Sequence, residues 1–415
     1  FERENLYWYV VNNKNFKFLK KFYNEEKIIY LNKKNFLNFD TKSDIEEDIK
    51  INELLWADRV LKINQESFDY LKIISLYMFK FLKRNKIDFI FGEFTWSYEI
   101  VISRIAKLLQ IPYYNIQSTR YPSNRFLFFA NEKQNLFYLR KKQDIKVSFI
   151  ESENEYEKYI YSKTLEKKNY KFILKKIFKL FTNDYYDHSD PTYVSKFNRS
   201  KNFCFKIFNK LCFYLLPKLS KIKLKKKNYI IYYLQKNPEA TVDVKGMYYS
   251  DQITNIINVW KILPKDTQLI IKEHPNCVGD RNIFFYKKIL KLRSIFLINN
   301  NDISKPDDNE TFVSNSLATF SIASSASVKS ALKRIPSFTF GETFFNCLEF
   351  CYKLTLEDLR NSKNLEHLIQ TKLKKNNDMD NFYLKNSFEG YLVFDGLNNL
   401  KNIENIRKAI REVIE

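Results

Sequence analysis

The stretch that most constrains this chain is Tyr229–Pro275, YIIYYLQKNPEATVDVKGMYYSDQITNIINVWKILPKDTQLIIKEHP. An unbroken apolar run, Tyr229–Gln235, reads as a strand buried on both faces, and Gln268–Lys272 reads as a second one. Between them lie a polar loop, Lys236–Ser250, and a helical pattern, Asp251–Leu263. A strand–helix–strand unit of this length is a parallel crossover, and sheets built from such units bind ligands at the carboxyl ends of their strands. Asn237-Pro238-Glu239 and Glu273-His274-Pro275 fall at two such ends.

The same alternation recurs on both sides. Upstream, Leu6–Val11, Lys27–Leu31, Ile87–Phe91 and Ile111–Ile116 read as strands, and Glu66–Lys86 carries apolar residues at helical spacing. Gly92-Glu93 follows the third strand, and Thr95 or Ser97 is placed to cap the helix after it. Asp44–Ile51 is an acidic patch, expected as a solvated helix or loop. Glu151–Phe181 reads as a helix with acids first and lysines last, an order that suits the helix dipole. Downstream, Leu317–Ile322 is a buried strand that runs into Ala323-Ser324-Ser325-Ala326-Ser327 and a short helix, and Pro336–Phe340 is the next strand. Helical patterns at Asn282–Leu292 and Asn402–Ile414 complete an α/β reading. The expected domains are 1–194, a basic amphipathic connection at 195–227, a second domain at 228–375, and a C-terminal helical segment at 376–415 that packs back on the first domain. At 415 residues, 45% of them hydrophobic, the chain is long enough for two cores.

Lysine and arginine exceed aspartate and glutamate by 70 − 48 = 22. Such an excess favours polyanions: nucleic acid, anionic lipid or phosphorylated small molecules. Eleven of the cations lie in Ser195–Lys227, interleaved with Phe, Leu and Ile. No run of about 18 apolar residues is present, so no membrane-spanning helix is expected. The five cysteines form no CxxC pair and are odd in number, which fits a reducing compartment and no zinc site. Asp187, His188 and Asp190 have the residue types of a metal site without its spacing, and a polar loop explains them as well. No glycine-rich phosphate loop, GxSxG or HExxH occurs.

Several side chains at strand ends have the chemistry of a site. Ser324, Ser325 and Ser327 offer hydroxyls at a strand-to-helix junction where a phosphate can sit; helix capping alone is the plainer reading. His274 can donate to a phosphate oxygen or protonate a leaving phosphate, or be an ordinary structural histidine. Glu239 and Asp243 can hold sugar hydroxyls or act at the reacting carbon, and equally suit a turn. Glu93, after a buried strand and a glycine, is placed for catalysis. Arg120 and Arg125, in Ser-Thr-Arg-Tyr-Pro-Ser-Asn-Arg, can grip an anionic acceptor or stay solvated.

Taken together, Leu-Gln-Lys-Asn-Pro-Glu-Ala-Thr (Leu234–Thr241), the helix start Tyr249-Ser250-Asp251-Gln252, the strand end Lys272-Glu273-His274-Pro275 and the Ser-Ser junction resemble bacterial capsule and surface-polysaccharide glycosyltransferases, the group containing the β-Kdo transferases. In that group a segment like LQxQPEAT precedes a Tyr-x-Asp-Gln helix start and a KEHP-like strand end. The match covers about residues 229–345 and more weakly Gly92–Arg125. It departs at Asn237, usually Gln, and at Ser-Ser-Ala-Ser-Val, commonly richer in Thr, Val and Gly.

The resemblance implies a GT-B fold: two Rossmann-like domains facing across a cleft, with the nucleotide donor on the C-terminal one, the acceptor on the N-terminal one, and no metal or other cofactor. It implies a CMP-sugar donor, CMP-Kdo or a related acidic sugar, whose single phosphate one histidine and two hydroxyls can serve. Asn237, Glu239, Lys272, His274, Ser324, Ser325 and Ser327 become donor-site candidates; Glu93, Asp243 and His274 become catalytic candidates; and Arg120 and Arg125 become acceptor contacts. The basic connection would hold a cytoplasmic enzyme at the anionic inner membrane, near a glycan or lipid-linked acceptor. Competing readings are a UDP-sugar transferase or epimerase-like enzyme, a catalytically dead assembly scaffold, and a nucleic-acid-binding protein, the last without any RNP, KH or helix-turn-helix signature.

Overall fold

The computed structural model describes residues 6–33, 49–122, 124–141, 189–216, 228–274, 277–298, 311–374, 382–392 and 399–415. The chain divides into two compact units, one comprising 1–113 and 158–203, the other 114–157 and 204–415. This differs from a division near residue 194: the segment from Tyr114 groups with the C-terminal half. The helix expected at 151–181 lies outside the described residues.

In the first unit, β1 (Trp8–Val10) precedes α1 (Asn13–Leu19) and pairs in parallel with β2 (Ile28–Tyr30), Trp8 opposite Ile28. Most of the expected acidic patch lies outside the described residues; its last residue, Ile51, begins α2 (Ile51–Ala57), which buries Ile51, Leu54 and Leu55. Helix α3 (Gln65–Arg84) is capped by the Asn64 side chain, which accepts from the Ser67 N–H. It buries Leu71 and Ile74 completely, while α4 (Ser97–Leu108) buries Val101 and Ile105. Between these two helices lies β3 (Ile90–Phe91). Neither Thr95 nor Ser97 caps α4. Asp58 Oδ2 accepts from the Ser97 N–H and hydroxyl, and Glu99 reaches back to the Trp96 N–H at 3.0 Å.

In the second unit, β4 (Tyr113–Ser118, beginning at the unit boundary) pairs antiparallel with β5 (Arg125–Phe129), whose five residues are all buried. Sequence periodicity does not single out β5, because it opens on the charged Arg125 after a turn-rich stretch. Helix α5 (Lys196–Tyr214) then leads, across the other boundary, towards the main sheet. That sheet begins with β6 (Tyr229–Tyr233) and continues through α6 (Ala240–Asp243), α7 (Gln252–Lys261), β7 (Gln268–Lys272), α8 (Ile283–Leu290), β8 (Ile295–Ile298), β9 (Thr319–Ser321), α9 (Ala326–Leu332), β10 (Ser337–Thr339) and β11 (Cys351–Lys353). All its pairings are parallel, in the order β11-β10-β9-β6-β7-β8. In chain order this runs outward from the first strand in one direction and then the other, the doubly wound arrangement of dinucleotide-binding sheets. Tyr232, Leu269, Ile271, Phe320 and Phe338 form its core with Ile256 and Tyr286 from the covering helices.

Helices α10 (Leu356–Asn361), α11 (Leu365–Lys374) and α12 (Phe382–Lys385) lead to β12 (Phe388–Glu389), which adds antiparallel to β5. The last helix, α13 (Leu400–Ile414), lays Ala409 and Val413 on Phe126, Phe128 and Phe388. Arg140 holds it by a two-pronged pair with Glu412 at 3.0 and 3.1 Å. The expected packing on an earlier segment is thus made to residues of the second unit itself.

Candidate functional site

In a doubly wound sheet the two strands at the reversal of order diverge at their carboxyl ends and leave a crevice. Here those strands are β6 and β9, paired through Ile231–Thr319 and Tyr232–Phe320. Leu234–Glu239 follows one and Ile322–Ser325 follows the other. Gln235 joins the two ends: its side-chain oxygen accepts from the Ala323 N–H at 2.5 Å. Gln252, at the start of α7, brackets the Gln235 backbone, donating to its carbonyl at 3.0 Å and accepting from its N–H at 2.9 Å. Both glutamines are buried. Beside this lock, Asn237, Arg281 and Ser250–Ile253 line a cavity of about 400 Å³.

The end of β7 is fixed by a buried ion pair. Glu273, 1% exposed, accepts from Arg281 Nη1 at 2.5 Å and from the Tyr286 hydroxyl at 2.6 Å. A second Arg281 nitrogen donates to the Gln235 carbonyl, so the guanidinium ties the ends of β6 and β7 together. Burial is the largest single influence and works against the charge on Arg281, but Glu273, Tyr286 and Cys277 together outweigh it and hold the guanidinium more strongly charged than usual. Removing one partner from such a pair costs about 3–5 kcal/mol, because the other charge is left buried and alone. Glu273 is therefore the anchor that presents its neighbour, His274.

His274 is half-buried, and its Nδ1 lies 3.5 Å from Cys277 Sγ. Burial pushes the Cys277 thiol up to about 12, so it keeps its proton; whether the thiol or the ring donates depends on the imidazole tautomer. Burial first, then Arg281, Lys236 and Arg120, bring the His274 imidazole down to about 4. At neutral pH it is an uncharged hydrogen-bond donor. Of the two roles expected from sequence, a ring that is neutral at pH 7 can donate a hydrogen bond but carries no extra proton to give away.

Two lysines of the same unit are shifted as well. Burial and the nearby Arg120 lower the Lys245 ammonium to about 7, with Glu239 opposing the shift. Burial brings Lys272 to about 8, its ammonium 5.9 Å from the centre of the Tyr233 ring. Arg120 thus depresses both Lys245 and His274, whereas Lys272 is lowered by burial alone. Gly246 allows the Glu239–Lys245 loop to lie on β9's end: a Cβ there would come 2.2 Å from the Ile322 methyl.

The three serines separate. Ser327 is fully buried, its hydroxyl 2.9 Å from that of Ser321, which makes it a structural group inside the junction and not a ligand contact. Ser324 accepts from the Ala326 N–H at 3.2 Å. Ser325 occupies the cap position of α9, yet its side chain makes no capping bond; instead its hydroxyl is 3.4 Å from an Arg120 nitrogen. Capping alone therefore does not account for Ser325. Arg120 and Arg125 part company too. Arg125, 6% exposed, bonds Ser387 through its side-chain oxygen and its carbonyl, each at 2.6 Å, so it is a core cation of β5 and not a surface grip for an acceptor. Asp243 has a local task, accepting from the Glu239 N–H at 2.7 Å.

Glu93 belongs to the first unit and is held from its backbone. The Tyr113 hydroxyl donates to its carbonyl at 2.8 Å, across Gly92, where a Cβ would sit 2.1 Å from that hydroxyl oxygen. Its carboxylate is exposed and accepts from Thr95 at 3.1 Å. The same hydroxyl, with its single proton, is closer to Glu99 at 2.7 Å, so the two carboxylates compete for it, and burial raises the Glu99 carboxyl above its usual range. Asp187 and His188 lie outside the described residues, and Asp190 accepts from Thr192. Among the described residues no cluster of His, Cys, Asp and Glu is arranged to hold a metal ion. No helix among them is long and apolar enough to cross a membrane.

No family model and no curated protein sequence matches the chain. Among solved structures it is similar in fold to the β-Kdo 2,7 transferase of KpsC from Thermosulfurimonas dismutans (11% identical, TM-score 0.34), over 85% of this chain and 88% of that one. The β-Kdo 2,4 transferase of the same KpsC matches at 9% identity and TM-score 0.30, over 79% and 86%. UDP-GlcNAc 2-epimerase from Methanocaldococcus jannaschii matches at 11% and 0.27, over 97% and 90%.

Proposed function

We propose that the second unit binds a nucleotide-sugar donor at the β6/β9 crevice, and that the protein is a glycosyltransferase moving Kdo or a related acidic sugar from a CMP donor to a glycan or lipid-linked acceptor of a surface polysaccharide. The observation that carries this is the crevice itself. At the switch point of a doubly wound sheet, Gln235 pins two strand ends while His274, Lys245, Lys272, Arg120 and Ser325 supply hydrogen-bond donors and positive charge. One phosphate and one sugar carboxylate are the anions such a cluster serves. Neutral His274 donates Nε2–H to the phosphate, and Ser324 and Ser325 donate hydroxyls. Lys245, charged once an anion arrives, offsets the negative charge that builds on the departing phosphate. The motif resemblance supports the same donor. Chemistry at the sugar carbon falls to a carboxylate: Glu93 is exposed, whereas Asp243 is already engaged with its own loop. The cations take over the charge neutralisation that a divalent metal provides in other transferases, so the reading includes turnover without one.

Calorimetric titration with CMP, UDP and GDP tests the donor. CMP is expected to bind at least about tenfold tighter than the other two, a difference of about 1.4 kcal/mol. Clear binding of UDP with none of CMP would overturn it in favour of a UDP-sugar transferase or an epimerase-like enzyme.

A further inference from the structure

Helix α5 is amphipathic in the wrong sense for a helix that only packs on its own protein. On a helical wheel, Phe197, Cys204, Phe208, Leu211 and Leu215 fall on one stripe, at steps of seven, four, three and four residues. The stripe faces solvent: Phe197 is 76% exposed, Phe208 59%, Leu211 61% and Leu215, one residue past the helix, 85%. The opposite side does the packing. Phe213 is fully buried against Tyr286, ring centres 5.1 Å apart, and Lys206 pairs with Asp280. Gly279, at φ +95°, is what lets the backbone of α5 approach, since a Cβ would lie 2.4 Å from the Lys206 carbonyl. The exposed stripe is therefore held outward by a fixed contact on the other face.

Charge decides what such a stripe fits. Between Asp190 and Glu239 the chain contains no acidic residue, while eleven lysines and arginines lie in Ser195–Lys227. A second copy of the helix would bring two such cationic segments together, which costs free energy. Nucleic acid offers the right charge but no apolar surface for Leu211 and Leu215. An anionic bilayer offers both: hydrocarbon at the headgroup boundary for the stripe, and negative potential for the flanking cations.

We propose that the outward face of α5 docks flat on an anionic lipid surface, inserting Phe197, Phe208, Leu211 and Leu215. The helix, about 28 Å long at 1.5 Å per residue, lies in the interface and does not span it. Its anchor on Gly279 and Asp280 lies in the turn that also carries Arg281, so docking fixes the second unit at the membrane through the segment that ties β6 to β7. This placement is independent of the donor's identity.

The test is co-sedimentation of the full chain with vesicles of phosphatidylcholine alone and with about one-third phosphatidylglycerol. Binding is expected only to the anionic vesicles, and weaker at about 0.5 M than at about 0.1 M salt. The double variant Phe208→Ser, Leu211→Ser is expected to lose at least about tenfold in vesicle affinity with an unchanged circular dichroism spectrum. Phe208→Trp provides a readout that does not depend on that variant's folding: its emission, taken against the parent chain, shifts to the blue on anionic vesicles and not on neutral ones. Equal binding to both vesicle types, no binding to either, or full binding by the double variant would each overturn the proposal. So would light scattering that shows the double variant converting a dimer to a monomer, because the stripe would then be a subunit interface.

Discussion

Lys245 sets the charge balance of the crevice. With its ammonium brought to about 7 by burial and Arg120, Lys245 is only half-protonated at neutral pH. A bound phosphate favours the charged form and raises that value, so binding takes up a proton wherever the free protein has lost it. Affinity for CMP is therefore expected to fall as pH rises from about 7 to 9, by at most about tenfold per unit. Across that range the phosphate, with a second pKa near about 6, stays dianionic. Lys245→Met should bind CMP more weakly at pH 7 and lose the dependence there, keeping only what Lys272 adds above about 8. Titration in two buffers of different ionisation enthalpy measures the proton taken up; a parent chain whose affinity is flat across this range would refute the role. The sequence singled out His274, Ser324 and Ser325 as candidates because strand ends and hydroxyl-rich junctions are local patterns. It did not expose Gln235, whose bond to Ala323 joins residues 88 apart, or Lys245, one lysine among many until burial distinguishes it. Arg125 misled for the same reason: charge is visible in a sequence, but its burial against Ser387 is not.

At the scale of elements, the parallel strands were legible because they are short apolar runs with turns at their ends. β7 and β8 fall where periodicity places them. β5 and β11 were not, one because it opens on the charged Arg125 after a turn-rich stretch, the other because it is a three-residue strand at the sheet's margin. The order of strands, and so the reversal between β6 and β9, could not be read from the sequence, because a crossover pattern fixes parallel pairing but not which edge of the sheet the next strand joins. One element contact depends on a single residue. Gly279 sits in the left-handed region, and Ala there would strain the backbone while driving its Cβ into the Lys206 carbonyl. Gly279→Ala is expected to cost about 1–3 kcal/mol in urea unfolding and to raise hydrogen exchange in the second half of α5. Unchanged stability together with unchanged exchange would show that the helix is not held there.

At the scale of the whole molecule, the proposed labour is split between two separately packed units. The donor-binding groups, Gln235, His274, Lys245 and Ser325, all belong to the second. Glu93, held by Tyr113 through Gly92 and carrying an exposed carboxylate, belongs to the first. The split makes binding and chemistry separable by mutation. Glu93→Gln keeps the shape and the Thr95 contact while removing the charge, and it lies outside the unit that holds the nucleotide. It is expected to leave CMP affinity within about twofold while lowering kcat by at least about a hundredfold, the range of general acid–base or nucleophilic loss. Both are measured with excess EDTA present, where the parent chain is expected to keep its full rate. If Glu93→Gln turned over normally while Asp243→Asn did not, the chemistry would belong to the donor-side loop, and the second unit would carry both functions. If the CMP affinity of Glu93→Gln collapsed along with its rate, Glu93 would be part of the nucleotide's own site, and the division by unit would fail.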